Sequence, residues 1–167
     1  MQKLGCKSIG WTMMLCLYFT ISMSGCSESR KVYLPRDLEL LTVSDSTYTT
    51  DPFACSCKVV AYFKVTKYDL YISKYIPYMK QYPNVSFIFY LSGDGKEQMQ
   101  EIMQTTEFKH PVFLDPEKSY IKVNKRLQQP PGQSELAFIG YVISDKFIEV
   151  TNPNMNDFSK LIKRCAD

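Results

Sequence analysis

The sequence predicts an α/β sandwich in which helices pack on a central, mixed β-sheet. Two observations lead to this class. Between residues 58 and 127, apolar runs typical of strands alternate with segments of helical periodicity, which predicts parallel strands joined by right-handed crossovers. Residues 137–150 then hold two more strand-like runs around Ser144 and Asp145, which predicts an antiparallel hairpin.

Two buried strands and a helix make up the predicted first half of the domain. Residues 58–65 (KVVAYFKV) and 84–91 (NVSFIFYL) are rich in β-branched and aromatic residues, as buried strands are. Residues 69–81 lie between them and predict a helix, because apolar side chains recur there at intervals of four and three. Asp69 can cap the start of this helix, and Pro77 inside it predicts a kink.

The other elements follow from the same two periodicities. Residues 32–43 are expected to begin with a strand that forms one edge of the sheet. In chain order, the later elements are a helix at 96–105, a strand at 111–114, a helix at 116–127, the hairpin strands 137–143 and 146–150, and a helix at 156–163.

The N-terminus has the composition of a bacterial signal peptide. Lys3 and Lys7 precede an apolar run, residues 9–23, that is too short to span a bilayer comfortably. Small residues then lead to Cys26, and this MSGC segment resembles the processing site of bacterial lipoproteins.

The resemblance implies a membrane-anchored chain with three parts: a signal peptide at 1–25, a tether at 26–31 and a domain at 32–167. Cleavage before Cys26 would leave that cysteine to carry the lipid. Ser27 does not resemble an inner-membrane retention signal, which favours the outer membrane and a periplasmic face. An ordinary cleaved signal peptide and an uncleaved anchor are the alternatives.

Composition excludes several classes of protein. The formal net charge is +3 and no basic stripe is present, so no nucleic acid is expected as a partner. No residues have the spacing of a metal site or of a cofactor-binding motif, and neither is expected. Of the six cysteines, only Cys55, Cys57 and Cys165 remain once the signal peptide is removed and Cys26 is lipidated.

The order of elements resembles the thioredoxin fold in its peroxiredoxin/TlpA-like version, as found in lipoproteins of Bacteroides and its relatives. Three segments carry the resemblance: the strand 58–65 with its proline-containing helix, residues 110–115 (HPVFLD), and the final hairpin with residues 152–154 (NPN). The resemblance implies a three-layer sandwich. It also implies a Cys-x-x-Cys redox centre at the start of the kinked helix, where the helix N-terminus favours a thiolate.

That redox centre is missing from this sequence. The equivalent positions are occupied by Asp69, Leu70, Tyr71 and Ile72, or in another register by Val65, Thr66, Lys67 and Tyr68. No cysteine lies between Cys57 and Cys165, and residues 134–137 lack the proline that normally faces the centre. A standard thiol–disulfide reaction is therefore not expected at this position.

The remaining cysteines allow a structural use. Cys55 and Cys57 precede the first core strand, whose length of about 23 Å separates them from the family's redox position. In a thioredoxin-like fold the last helix returns toward this end, so Cys165 can form a disulfide with Cys55 or Cys57. Unpaired thiols and a working redox pair are the alternatives.

The sequence thus predicts a non-enzymatic, thioredoxin-like lipoprotein with a binding or structural role at the cell envelope, held to the membrane by the lipid and contacting an envelope protein. The alternative is an envelope thiol-disulfide oxidoreductase that uses Cys55 and Cys57.

Overall fold

The computed structural model describes residues 31–43, 51–64, 72–124 and 138–167. Val32–Asp167 forms one compact unit. Cys26, the predicted signal peptide and the candidate positions 65–71 lie outside the described residues. Within the described ranges, no helix has the length and apolar character needed to cross a membrane.

Six strands and four helices form the described fold. The strands are β1 (Glu39–Leu41), β2 (Lys58–Lys64), β3 (Ser86–Ser92), β4 (Val112–Asp115), β5 (Phe138–Ile143) and β6 (Ile148–Val150). The helices are α1 (Ile76–Gln81), α2 (Lys96–Thr105), α3 (Ser119–Val123) and α4 (Phe158–Ala166).

One mixed sheet contains all six strands in the order β1-β4-β3-β2-β5-β6. Strands β2, β3 and β4 are parallel, whereas β1, β5 and β6 pair antiparallel with their neighbours. Every residue of β3 is buried, as expected for a parallel strand covered on both faces. The predicted α/β sandwich with a mixed sheet is confirmed.

Two local predictions differ from the structure. Pro77 lies in the first turn of α1, behind the short 3-10 turn Ser73–Tyr75, and not inside a longer α-helix. A proline is tolerated there because the first amides of a helix need no intrahelical partner, so Pro77 lies at the start of the α-helix and not within it as predicted. In the N-terminal segment, only residues 39–41 form a strand.

The two faces of the sheet have different cores. The first, here called the helix face, carries α1, α2 and α4 and is rich in phenylalanine and methionine. The second, the tyrosine face, is covered by α3 and the segment before β1. Its aromatic side chains are Tyr62, Tyr90, Phe113, Tyr120 and Tyr141.

The tyrosine rings stack around Tyr120. Its ring centroid is 5.3 Å from that of Tyr62 and 5.0 Å from that of Tyr90. The Tyr90 hydroxyl donates a 2.9 Å hydrogen bond to the carbonyl of Pro35, which ties the N-terminal segment to this face. Burial raises the pKa of Tyr62 and Tyr90, holds that of Tyr120 well above its ordinary value, and raises that of Tyr141 to about 12.

A disulfide joins the start of β2 to the last helix of the fold. Cys57, just before β2, is joined to Cys165 in the last turn of α4, with 5.4 Å between their Cα atoms. Both cysteines are buried, as are Phe158 and Ile162 of α4. The sequence allowed a disulfide from Cys165 to either Cys55 or Cys57, and the structure contains the disulfide to Cys57.

We predict that removing this disulfide destabilises the domain. It closes a chain segment of 108 residues, and constraining the unfolded chain in this way typically contributes about 2–4 kcal/mol. The Cys57→Ser/Cys165→Ser chain should lose that much unfolding free energy in urea titrations, while Cys55→Ser serves as the thiol control. An unchanged midpoint in the double variant would contradict the structural role.

We also predict that alkaline pH unfolds the domain through the tyrosine face. The folded-state pKa of Tyr141 lies near 12, above its ordinary value of 10.0. Its contribution to stability is therefore fully present below pH 10 and is lost as the pH rises through about 12. Tyrosinate absorbance and circular dichroism, followed together, should show the buried tyrosines ionising as the fold is lost. Complete ionisation near pH 10 in an intact fold would refute this.

Candidate functional site

The parallel strands β2, β3 and β4 all end at one edge of the sheet, here called the carboxyl edge. Their last residues, Lys64, Ser92 and Asp115, are neighbours in the strand register. The thioredoxin resemblance places a redox centre just beyond β2, but residues 65–71 lie outside the described part of the chain. Ile72 is described and is only 2% exposed, packed in the core of the helix face.

Asp115 organises this edge through backbone amides. Its carboxylate accepts hydrogen bonds from the amides of Ser119 and Tyr120 at 2.7 and 2.8 Å, which holds the first turn of α3. The side chain is completely buried. A buried carboxylate is tolerated when hydrogen bonds compensate its desolvation, so Asp115 has a structural role in positioning Tyr120.

The side chain of Tyr62 lies on the tyrosine face, near Ser92 and Asp115. Burial raises the pKa of Tyr62, the nearby Ser92 hydroxyl opposes this rise, and the negative charge of Asp115 adds to it. The phenol therefore stays protonated at neutral pH, when it can act as a hydrogen-bond donor but not as a base.

A cavity of about 530 Å³ opens beside this edge, between β1 and the ends of β3 and β4. Its walls come from residues 37–39, from residues 93–97 and from the turn after β4. Its volume is within the range of ligand-binding clefts, and the carboxyl ends of parallel strands are where open α/β sheets commonly bind ligands.

The cavity is strongly acidic. The exposed acidic residues of its lining are Asp37, Glu39, Asp94, Glu97 and Glu117, and the buried Asp115 also belongs to the lining. Lys96 is the one basic residue of its lining and is paired with Glu39. The negative charge disfavours anionic ligands. Within the described ranges, no three His, Cys, Asp or Glu side chains are grouped as metal ligands.

The turn after β3 shapes one wall of this cavity. Gly93 has a φ of +83°, which L-residues rarely adopt, and its amide donates to the Asp115 carbonyl at 3.5 Å. Residues 92–95 (SGDG) are typical of a turn, but this pattern does not indicate a cavity. The signal that could have revealed the cavity is the presence of acidic residues directly after two neighbouring strands.

The cysteines lie at the opposite end of the parallel strands from the cavity. Cys57 precedes Lys58, the first residue of β2, and this seven-residue strand spans about 23 Å. Cys55 is a free, half-buried thiol, and its carbonyl accepts a hydrogen bond from the Lys58 ammonium. The structure joins Cys57 to Cys165 and does not pair it with Cys55.

His110, the single histidine of the sequence, has a packing role. Its ring centroid lies 5.2 Å from that of Phe89, and Nδ1 is 3.1 Å from the Pro111 carbonyl oxygen. Burial lowers its pKa, with a smaller opposing effect from that carbonyl. His110 is therefore neutral at pH 7. It lies before the start of β4, whereas the cavity lies beyond the end of that strand.

Comparison with known proteins identifies the fold. No protein-family model matches the sequence, and no curated protein shows significant sequence similarity to it. The solved structure of MTB DsbF, in mixed oxidized and reduced forms, is 14% identical, with a TM-score of 0.51 over 66% of this chain and 81% of that chain.

A thiol:disulfide interchange protein of the thioredoxin family from Chlorobium tepidum TLS is 13% identical. Its TM-score is 0.54 over 67% of this chain and 81% of that one. Identities this low show a shared fold and not a shared activity. The chain therefore has a thioredoxin-like fold.

Proposed function

We propose that this chain is a membrane-anchored, thioredoxin-like lipoprotein that binds an envelope protein and does not catalyse thiol–disulfide exchange. One observation supports the lack of exchange activity: the sequence has no cysteine between Cys57 and Cys165, and these two are joined to each other at the edge opposite the cavity.

Thiol–disulfide exchange has two requirements, and the described cysteines do not meet them. A thioredoxin-type reaction needs an accessible thiolate to attack a substrate disulfide and a second cysteine to resolve the mixed disulfide. Cys57 and Cys165 are 3% and 9% exposed, so neither sulfur offers a substrate much access. Cys55 has a half-buried thiol, but its neighbour Cys57 is already paired.

The binding role rests on the cavity at the carboxyl edge. A cleft of about 530 Å³ is large enough to receive one or two side chains of a partner. Its excess of carboxylates favours a partner that presents lysine or arginine there. Lys96 and Glu39, both exposed on the rim, form an ion pair that such a partner could exchange for its own.

The anchor rests on the sequence of the N-terminus. The basic start, the short apolar run and the small residues before Cys26 favour lipidation of that cysteine. Ser27, which follows it, favours the outer membrane and a periplasmic face. Cys26 is then unavailable for redox chemistry.

The alternative is an oxidoreductase that uses Cys55 and Cys57. It is favoured by the free Cys55 thiol, two residues from a disulfide-bonded cysteine, and by the fold shared with a thiol:disulfide interchange protein. The Cys55 thiolate would have to attack the buried Cys57 sulfur and displace the Cys165 thiolate.

A disulfide-reduction assay separates the two functions. The mature chain, supplied with a dithiol reductant and a protein disulfide substrate, should not exceed the uncatalysed rate, because no accessible dithiol is present. The Cys55→Ser and Cys57→Ser chains serve as matched controls. Turnover by the unmodified chain that disappears in both variants would establish the oxidoreductase.

A further inference from the structure

We infer that the domain rests on an anionic membrane through a small surface formed by Tyr33, Lys122 and Val123, here called the Tyr33 surface. The inference builds on the proposed lipid anchor and adds an orientation for the domain. Tyr33 is 62% exposed and Val123 is 52% exposed, which makes them the two most exposed large hydrophobic side chains among the described residues.

Hydrogen bonds fix the main chain of Tyr33 near the end of α3, whose last residue is Val123. The Tyr33 amide donates to Oδ1 of Asn124 at 2.8 Å, and Nδ2 of Asn124 donates to the Tyr33 carbonyl at 2.7 Å. The same Nδ2 also donates to the Tyr120 carbonyl at 2.8 Å. Asn124 is itself buried and directly follows Val123, so the main chain of Tyr33 is fixed beside the end of α3.

The charge around this surface suits anionic lipid. Lys122 is exposed on α3 and Lys118 is exposed just before this helix, and Lys122 has only a loose, exposed pair with Glu117 at 4.0 Å. The sequence has further basic residues nearby along the chain: Arg30 and Lys31 come before Val32, and Lys125 and Arg126 come after Asn124. Lysine and arginine beside tyrosine are the residues that favour the headgroup layer of a membrane.

The length of the tether brings this surface close to the membrane. Six residues lie between Cys26 and Tyr33, and the seven Cα-to-Cα steps between these two residues can extend at most about 25 Å. A lipid on Cys26 therefore keeps Tyr33 within reach of the headgroups at high effective concentration. Tyrosine is suited to this layer because its ring is apolar and its hydroxyl can remain hydrated.

Tryptophan fluorescence can test the contact. The sole tryptophan of the sequence, Trp11, lies in the predicted signal peptide, so the mature chain would have no background emission from tryptophan. The lipidated Tyr33→Trp chain would be reconstituted into vesicles of phosphatidylcholine, with or without phosphatidylglycerol, that contain brominated acyl chains. Met155→Trp is the matched control, since Met155 is 44% exposed just before α4, which packs on the other face of the sheet.

Quenching should be several-fold stronger in Tyr33→Trp than in Met155→Trp, and it should depend on phosphatidylglycerol. Val123→Trp should show the same pattern, which provides a second reporter if Tyr33→Trp fails to fold. Equal quenching at Tyr33 and Met155, or quenching that is independent of anionic lipid, would overturn the Tyr33 surface.

Vesicle flotation distinguishes this failure from failure of the anchor. A chain that floats with the vesicles but shows no selective quenching would refute the surface and leave the anchor standing. If the unmodified chain does not float, or if the Cys26→Ser chain floats equally well, the lipid anchor is wrong and the surface proposal falls with it.

Discussion

The rest of the structure depends on the pairing of strand β2 with its two neighbours. Its residues pair with β3 on one side and with β5 on the other, over nearly its whole length. Because β2, β3 and β4 are parallel, their carboxyl ends meet at one edge and the cysteines before β2 are left at the other. The separation of the disulfide from the acidic cavity is therefore a consequence of strand direction.

The short helix α3 links the cavity to the proposed membrane surface. Five residues are too few for a helix to be stable by propensity alone. The Asp115 carboxylate holds its first turn, and Asn124 holds its end together with the backbone of Tyr33. A partner that docks in the cavity would therefore meet the same helix whose far end carries Val123.

Much of this fold could be predicted from local pattern. Strands β2 and β3 are nearly continuous apolar runs, and α2 begins and ends at the predicted residues. The disulfide was predictable as a pairing but not as a choice of partner. Cys55 directly follows a turn in which the Ala54 amide donates a hydrogen bond to the Asp51 carbonyl. Because Cys55 is not part of a strand, the alternation of buried and exposed residues in a strand cannot show which cysteine is buried.

The cavity could not be predicted in the same way. It exists because β1 pairs antiparallel with β4, with Glu39 opposite Leu114, and this brings together residues that are 75 positions apart in the sequence. No local periodicity encodes such a pairing. The position of Pro77 was misjudged for a related reason, since the sequence shows a proline within a helical pattern but not where the α-helix begins.

The redox state of Cys57 and Cys165 in living cells is the most direct test of the account. Acid-quenched cells, alkylated before and after reduction, would report by mass spectrometry the fraction of each cysteine that is paired. A structural disulfide predicts complete Cys57–Cys165 pairing whether or not the envelope is challenged with misfolded disulfide proteins. A reduced fraction that rises and falls with such a challenge, or a mixed disulfide with a substrate, would contradict it.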